Sequence, residues 1–149
     1  MFTLKDLARA INLRLSAAVS EIPIVSTDIR EGFHRPSFYV DFDEATKAPR
    51  FDWAVERNVQ VTIYFFPTSQ YDYQLEMLDI QDRVESAFTG TLDLAPGGAF
   101  KAWIDEVSTI RVDGVLQTSF EIHYVEDKDD DGGADADMME ELSLDVDLE

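Results

Sequence analysis

Leu4, Leu7, Ala8, Ile11, Leu15, Ala18 and Val19 recur at three- and four-residue spacing, which gathers them on one face of a helix. Thr3 precedes that run and Asp6 follows three residues later. The hydroxyl can cap the first free N–H groups while the carboxylate sits near the positive end of the helix dipole. Pro23 cannot continue the helix, and Ile22 to Ile29 reads as a short strand that takes proline at its start or on an edge. The period then falls to two. Phe38, Val40 and Phe42 alternate with Ser37, Tyr39 and Asp41, which predicts a strand over 37–42. Val59, Val61, Ile63 and Phe65 alternate with Gln60, Thr62, Tyr64 and Phe66, which predicts another over about 57–66. Lys47-Ala48-Pro49-Arg50 between them reads as a loop.

Pro67 closes the third strand, and Ser69 is placed to cap a second helix with Asp72 at its third position. Tyr73, Met77, Ile80, Val84, Ala87 and Phe88 mark that helix's apolar face, and Gly90 stops it. After a Pro96-Gly97-Gly98 loop, 103–112 and 115–125 flank the dipeptide Asp113-Gly114. A two-residue hairpin needs positive φ at both central positions, which Asp-Gly supplies, so this is the strongest local signal in the chain. On the returning strand Leu116, Thr118, Phe120, Ile122 and Tyr124 face inward, and Gln117, Ser119, Glu121 and His123 face out. The order α-β-β-β-α-β-β predicts an α+β domain: a mostly antiparallel sheet of about four to five strands, with two helices on one face. The opposite face carries Tyr39, Tyr64 and Phe66 among polar residues and is left for an oligomer to bury.

Composition narrows the function classes. A chain of 149 residues, 45% hydrophobic, suits one domain. We place that domain at 1–125, an acidic linker at 126–137 and a strand-like segment at 138–149. No apolar run approaches the roughly 20 residues of a membrane helix, and Lys5 and Asp6 interrupt any signal-peptide core, so neither a membrane partner nor a signal-directed secretory route is expected. The absence of cysteine removes disulfides and thiolate chemistry. Net charge is −19, of which residues 126–149, with twelve acids and only Lys128 as a base, contribute −11. Such a field repels phosphate backbones and argues against sequence-specific nucleic-acid binding.

Candidate chemistry is sparse. His34 and His123 stand in no motif, and no nucleophile with its base, paired carboxylate site or phosphate-cradling loop is visible, so no catalytic or cofactor-binding residue is assigned and no enzyme is expected. Asp127, Asp129 and Asp131 occupy the first, third and fifth places of a calcium-type loop, with Gly132 at the sixth and Asp135 at the ninth. Met138 stands where that loop needs a bidentate Glu, and a strand rather than a helix precedes it. A solvated acidic linker is therefore favoured over calcium, which stays as the alternative of a calcium-dependent binding module. Beyond it, Leu142, Leu144, Val146 and Leu148 alternate with Ser143, Asp145, Asp147 and Glu149, a pattern suited to adding a strand to a sheet edge.

Several segments in order carry a likeness. Leu4-Lys5-Asp6-Leu7 with Ala10-Ile11-Asn12 comes first, then Ile22-Pro23-Ile24-Val25 and Glu31-Gly32-Phe33-His34-Arg35-Pro36-Ser37-Phe38-Tyr39-Val40. Arg57-Asn58-Val59 leads into Ile63-Tyr64-Phe65, and Val112-Asp113-Gly114-Val115-Leu116 precedes the last strand. In these the chain resembles the phage tail terminator family of tailed phages and phage-like prophage particles, over residues 1 to about 125 and again at the C-terminal end. The resemblance implies a structural virion protein, assembled in the host cytoplasm, that forms a homo-oligomeric and hexameric ring at the head-proximal end of the tail. Its implied partners are the tail tube protein and the head-tail connector or head-completion protein, with DNA passing through the ring. A head-completion, connector or other minor tail protein is the alternative within the same class. Tyr39, Tyr64, Phe66, Leu142, Leu144, Val146 and Leu148 are the interface candidates.

Overall fold

The computed structural model describes residues 2–25, 35–69 and 73–127. Its elements are α1 (Leu4–Ala18), β1 (Ile24–Val25), β2 (Ser37–Arg50), β3 (Ala54–Phe66), α2 (Gln74–Ala87), β4 (Gly90–Asp93), β5 (Lys101–Ile104), β6 (Ser108–Val112) and β7 (Val115–Asp127). The strands form one sheet in the order β1-β2-β3-β7-β5-β4, with β6 also paired to β7. The α+β class and the two helices match the pattern, but the described residues form a sheet of seven strands rather than four to five. It is mixed, because β1 runs parallel to β2. Among the described residues no helix is long and apolar enough to cross a membrane.

The first helix starts as expected. Asp6 N–H donates to Thr3 Oγ1 at 3.1 Å and Thr3 N–H donates to Asp6 Oδ2 at 2.9 Å, a reciprocal capping box. The bond from the Thr3 backbone is the main reason the Asp6 carboxyl titrates below its ordinary value. The start of α2 differs: Tyr73 is its N-cap with no side-chain cap bond, so Ser69 is not the cap. Glu76, in the first turn, instead reaches back to Thr68, accepting from its N–H at 3.0 Å and its hydroxyl at 2.8 Å. At the other end Arg14 of α1 donates to Ala87 O at 2.7 Å and Thr91 O at 3.0 Å, which places a cation at the negative end of α2, a helix with no basic residue in its own last turn.

Both helices cover the same sheet face. Leu7, Ile11 and Leu15 of α1 and Met77, Ile80 and Val84 of α2 pack with Phe38, Val59, Val61, Phe65, Phe120 and Ile122 in one buried cluster. The expected parity of β7 is observed, since Leu116, Thr118, Phe120, Ile122 and Tyr124 are all buried. Phe2 and Phe100 stack at 4.9 Å and meet the Tyr124 ring edge-on, closing the core at the far end of β7. Asp113 and Gly114, at φ 52° and 76°, make the two-residue turn between β6 and β7.

Three strands depart from the pattern. Lys47-Ala48-Pro49-Arg50 is strand, not loop: β2 runs to Arg50, paired with Ala54 of β3. Past Tyr39, no described residue pairs with β2 on its outer side, and an edge position tolerates the missing N–H of Pro49. The segment 103–112 splits into β5 and β6 because Ile104 pairs with Ile122 while Ser108 pairs with Ser119. Three residues then oppose two, and the extra residue breaks the ladder as a bulge does. Gly90, expected only as a stop, opens β4 at φ 103°, a strand whose single buried residue is Leu92.

Candidate functional site

Across the helix-free face of the central strands, side chains form rows. Tyr39 and Tyr64 lie opposite each other with ring centroids 6.0 Å apart, and Gln117 is next to Tyr64 in the register. One row on, Thr62 donates to Asp43 and lies 3.2 Å from the Ser119 hydroxyl. Asp43 is the extra residue of a bulge between Phe42 and Glu44, and the bulge turns its carboxylate toward Thr62. Burial pushes the Asp41 carboxyl up, and the charge of Asp43 adds to it; burial, then Asp43 and Asp41, push the Tyr64 phenol up. Farther along, His123 Nδ1 is 2.7 Å from Asn58 Oδ1 and 3.3 Å from Glu56 Oε2, with Trp103 exposed beside it. Hydroxyls, amides, carboxylates and two half-buried tyrosines make a surface fit for a polar protein contact. They offer no nucleophile aligned with a base.

Of the three aromatic interface candidates on the sheet, only the tyrosines remain at the surface. Phe66, in register with Ser37, is 3% exposed. Asp127 ends β7 opposite Ala54. Asp129, Asp131 and Asp135, and likewise Leu142, Leu144, Val146 and Leu148, lie outside the described residues. Among the described residues no three His, Cys, Asp or Glu side chains cluster to hold a metal ion.

Two further surfaces escaped the sequence reading. Phe51 and Trp53 stand at the β2–β3 turn, stacked at 5.7 Å and 11° and exposed to 72% and 61%. Phe51 takes φ 61°, the conformation that reverses the chain there. Had 47–50 been read as strand, two aromatics flanking Asp52 would have stood out, since a turn is ordinarily polar. The other surface is a groove of about 750 Å³ between α1 and the end of β4, walled by Ala10, Leu13, Ala17, Leu92 and Leu94. Its lining carries Asp6 and Asp93 against Arg9 and Arg14. Its apolar wall includes α1 positions off the buried stripe, which only the neighbouring β4 turns into a concavity.

Comparison with known families is specific. The family described as phage tail terminator protein matches residues 6–134. The chain belongs to that family. It is accordingly a structural phage tail protein and a component of a virion. Among solved structures, a chain of a particle described as the virion of a native gene transfer agent (GTA) is similar at 14% identity and a TM-score of 0.49. That likeness covers 80% of this chain and 93% of the other. No curated protein matches the sequence.

Proposed function

We propose that this protein is the cap of a tail tube. It sits as a closed homo-oligomeric ring, hexameric as its family resemblance implies, on the head-proximal end, stops tube growth and presents the surface that meets the head-tail connector. The observation that carries this reading is the tail terminator family match over residues 6–134. The physical logic supports it. A tube grows because each ring offers the next the same sites it has just used, and growth ends when a subunit binds the tube end without reproducing those sites. A small domain with a polar sheet face for one partner and separate exposed patches for others meets that need.

In this proposal the acidic surface lets DNA pass through the ring without gripping its phosphates, consistent with a net charge of −19. The segment 138–149 adds Leu142, Leu144, Val146 and Leu148 to a neighbouring subunit, with the acidic residues between Asp127 and that segment as the linker to it. Electron microscopy of purified protein with tail tubes tests both parts. Rings, and density at tube ends only, are expected, with assembly weakened when residues 138–149 are removed. Binding along the tube walls, or to portal-side proteins and not to tubes, would contradict the cap and favour a connector.

A further inference from the structure

We propose that the Phe51/Trp53 tip of one copy seats in the α1–β4 groove of the next, and that this head-to-tail contact is what closes the ring. The inference rests on the ring reading above and names its surfaces. Shape comes first. The tip is the only pair of stacked and mostly exposed rings among the described residues, and the groove, at about 750 Å³, is large enough for a body the size of two aromatic side chains. Such rings bury roughly 150–250 Å² each. That falls short of the roughly 800 Å² per partner that a standard stable interface needs, so the exposed shoulder of β2, residues 43–50, must contribute alongside them.

Charge selects the same two surfaces. Copies of a chain with net charge −19 repel one another over most of their area. The tip with its shoulder, residues 43–53, instead carries Lys47 and Arg50 against Asp43, Glu44 and Asp52, and the groove lining carries Arg9 and Arg14 against Asp6 and Asp93. The first has one acid in excess and the second none, so both are close to neutral. Contact between them brings together near-neutral patches of an acidic protein.

Position explains closure. The tip is attached to β2 and the groove to β4, four strand spacings or roughly 19 Å apart across the sheet, so one subunit's tip cannot fill its own groove. Along the strands they are nearly level. Thr46, Asn58, His123, Trp103 and Thr91 form one row, and both Phe51 and the Asp93–Ala95 corner of the groove lie beyond it in the same direction. The difference is about one to three residues, or ~3–10 Å at strand rise. Two complementary patches at one level on opposite edges join copies chiefly by rotation, and heterologous contacts of that kind close into rings rather than climb into filaments.

The test uses the absence of native cysteine. Leu13, 69% exposed in the groove wall, and Trp53 are changed together, Leu13→Cys with Trp53→Cys, and the full-length protein is oxidised and run without reductant. A ladder of linked subunits ending at the ring number is expected, with no ladder from either single variant. Phe51→Ala with Trp53→Ala should keep the wild-type melting temperature and weaken self-association at least tenfold by sedimentation. If wild-type protein forms rings but the double-cysteine variant gives no ladder and the alanine variant assembles normally, the tip contact is wrong and the ring stands. If the alanine variant forms rings yet no longer binds tube ends, the tip docks on the tube protein and the proposal is overturned. Wild-type protein that stays monomeric at every concentration and on tube ends overturns the ring reading and the contact together.

Discussion

Gly114 holds φ at 76° with Asp113 at 52°, and a Cβ at position 114 would lie 3.6 Å from the Tyr73 ring, so space is adequate and backbone conformation is what matters. Gly114→Val is expected to destabilise the domain by more than ~1 kcal/mol, read as a lower denaturant midpoint, because a β-branched residue resists positive φ. This residue was legible in the sequence because its constraint is local. Tyr124 was not, beyond its inward parity. Its ring meets Phe2 and Phe100, its hydroxyl donates to Phe2 O at 3.4 Å, and burial first, then Glu126, pushes its phenol up to about 12. Its ring partners come from the segment before α1 and from the turn before β5. A phenol raised in the folded state stabilises fully below its unfolded value of about 10 and loses that contribution as pH rises through the folded value near 12. Stability should therefore fall across pH 10–12, and Tyr124→Phe should flatten that decline in alkaline unfolding curves. An unchanged decline would place the alkaline sensitivity elsewhere.

At the scale of elements, what the sequence disclosed were features fixed by neighbours within four residues. The α1 capping box is one, and Thr3→Ala is expected to cost about 1 kcal/mol by denaturant unfolding. The carboxyl of Asp6 titrates low chiefly through the Thr3 backbone bond, so the box contributes above the ordinary Asp range and is lost as pH falls through the lowered folded value; Thr3→Ala should shed part of that acid dependence. Features set by a distant strand were hidden. Pro49 looked like a loop residue because nothing local says that β2 runs there as an edge. The break between β5 and β6 is dictated by register on β7, and β4 is too short for a period to show. The same cause hid the candidate surfaces: the tip became visible only once β2 and β3 were known to extend to it, and the groove only once β4 was placed beside α1. The polar sheet face was legible, because alternation assigns Tyr39 and Tyr64 to it. Phe66 shares their parity but is 3% exposed, and parity assigns a face, not a degree of burial.

For the whole molecule, the alternating pattern gave the α+β class, and ordered motifs pointed to the tail terminator family that the match over 6–134 establishes. Charge has a consequence at this scale. An assembly of subunits at −19 each works against its own repulsion, so its contacts must lie where charge is balanced, as at the tip and the groove. The central claim is that this protein limits tube length, and the most direct measurement is the tail-length distribution, by electron microscopy, of particles assembled without it. The account predicts tails of irregular and excessive length that fail to join heads, restored to a narrow distribution when purified protein is present during assembly. Tails of normal, uniform length that merely stay unattached would contradict it and make the protein a connector.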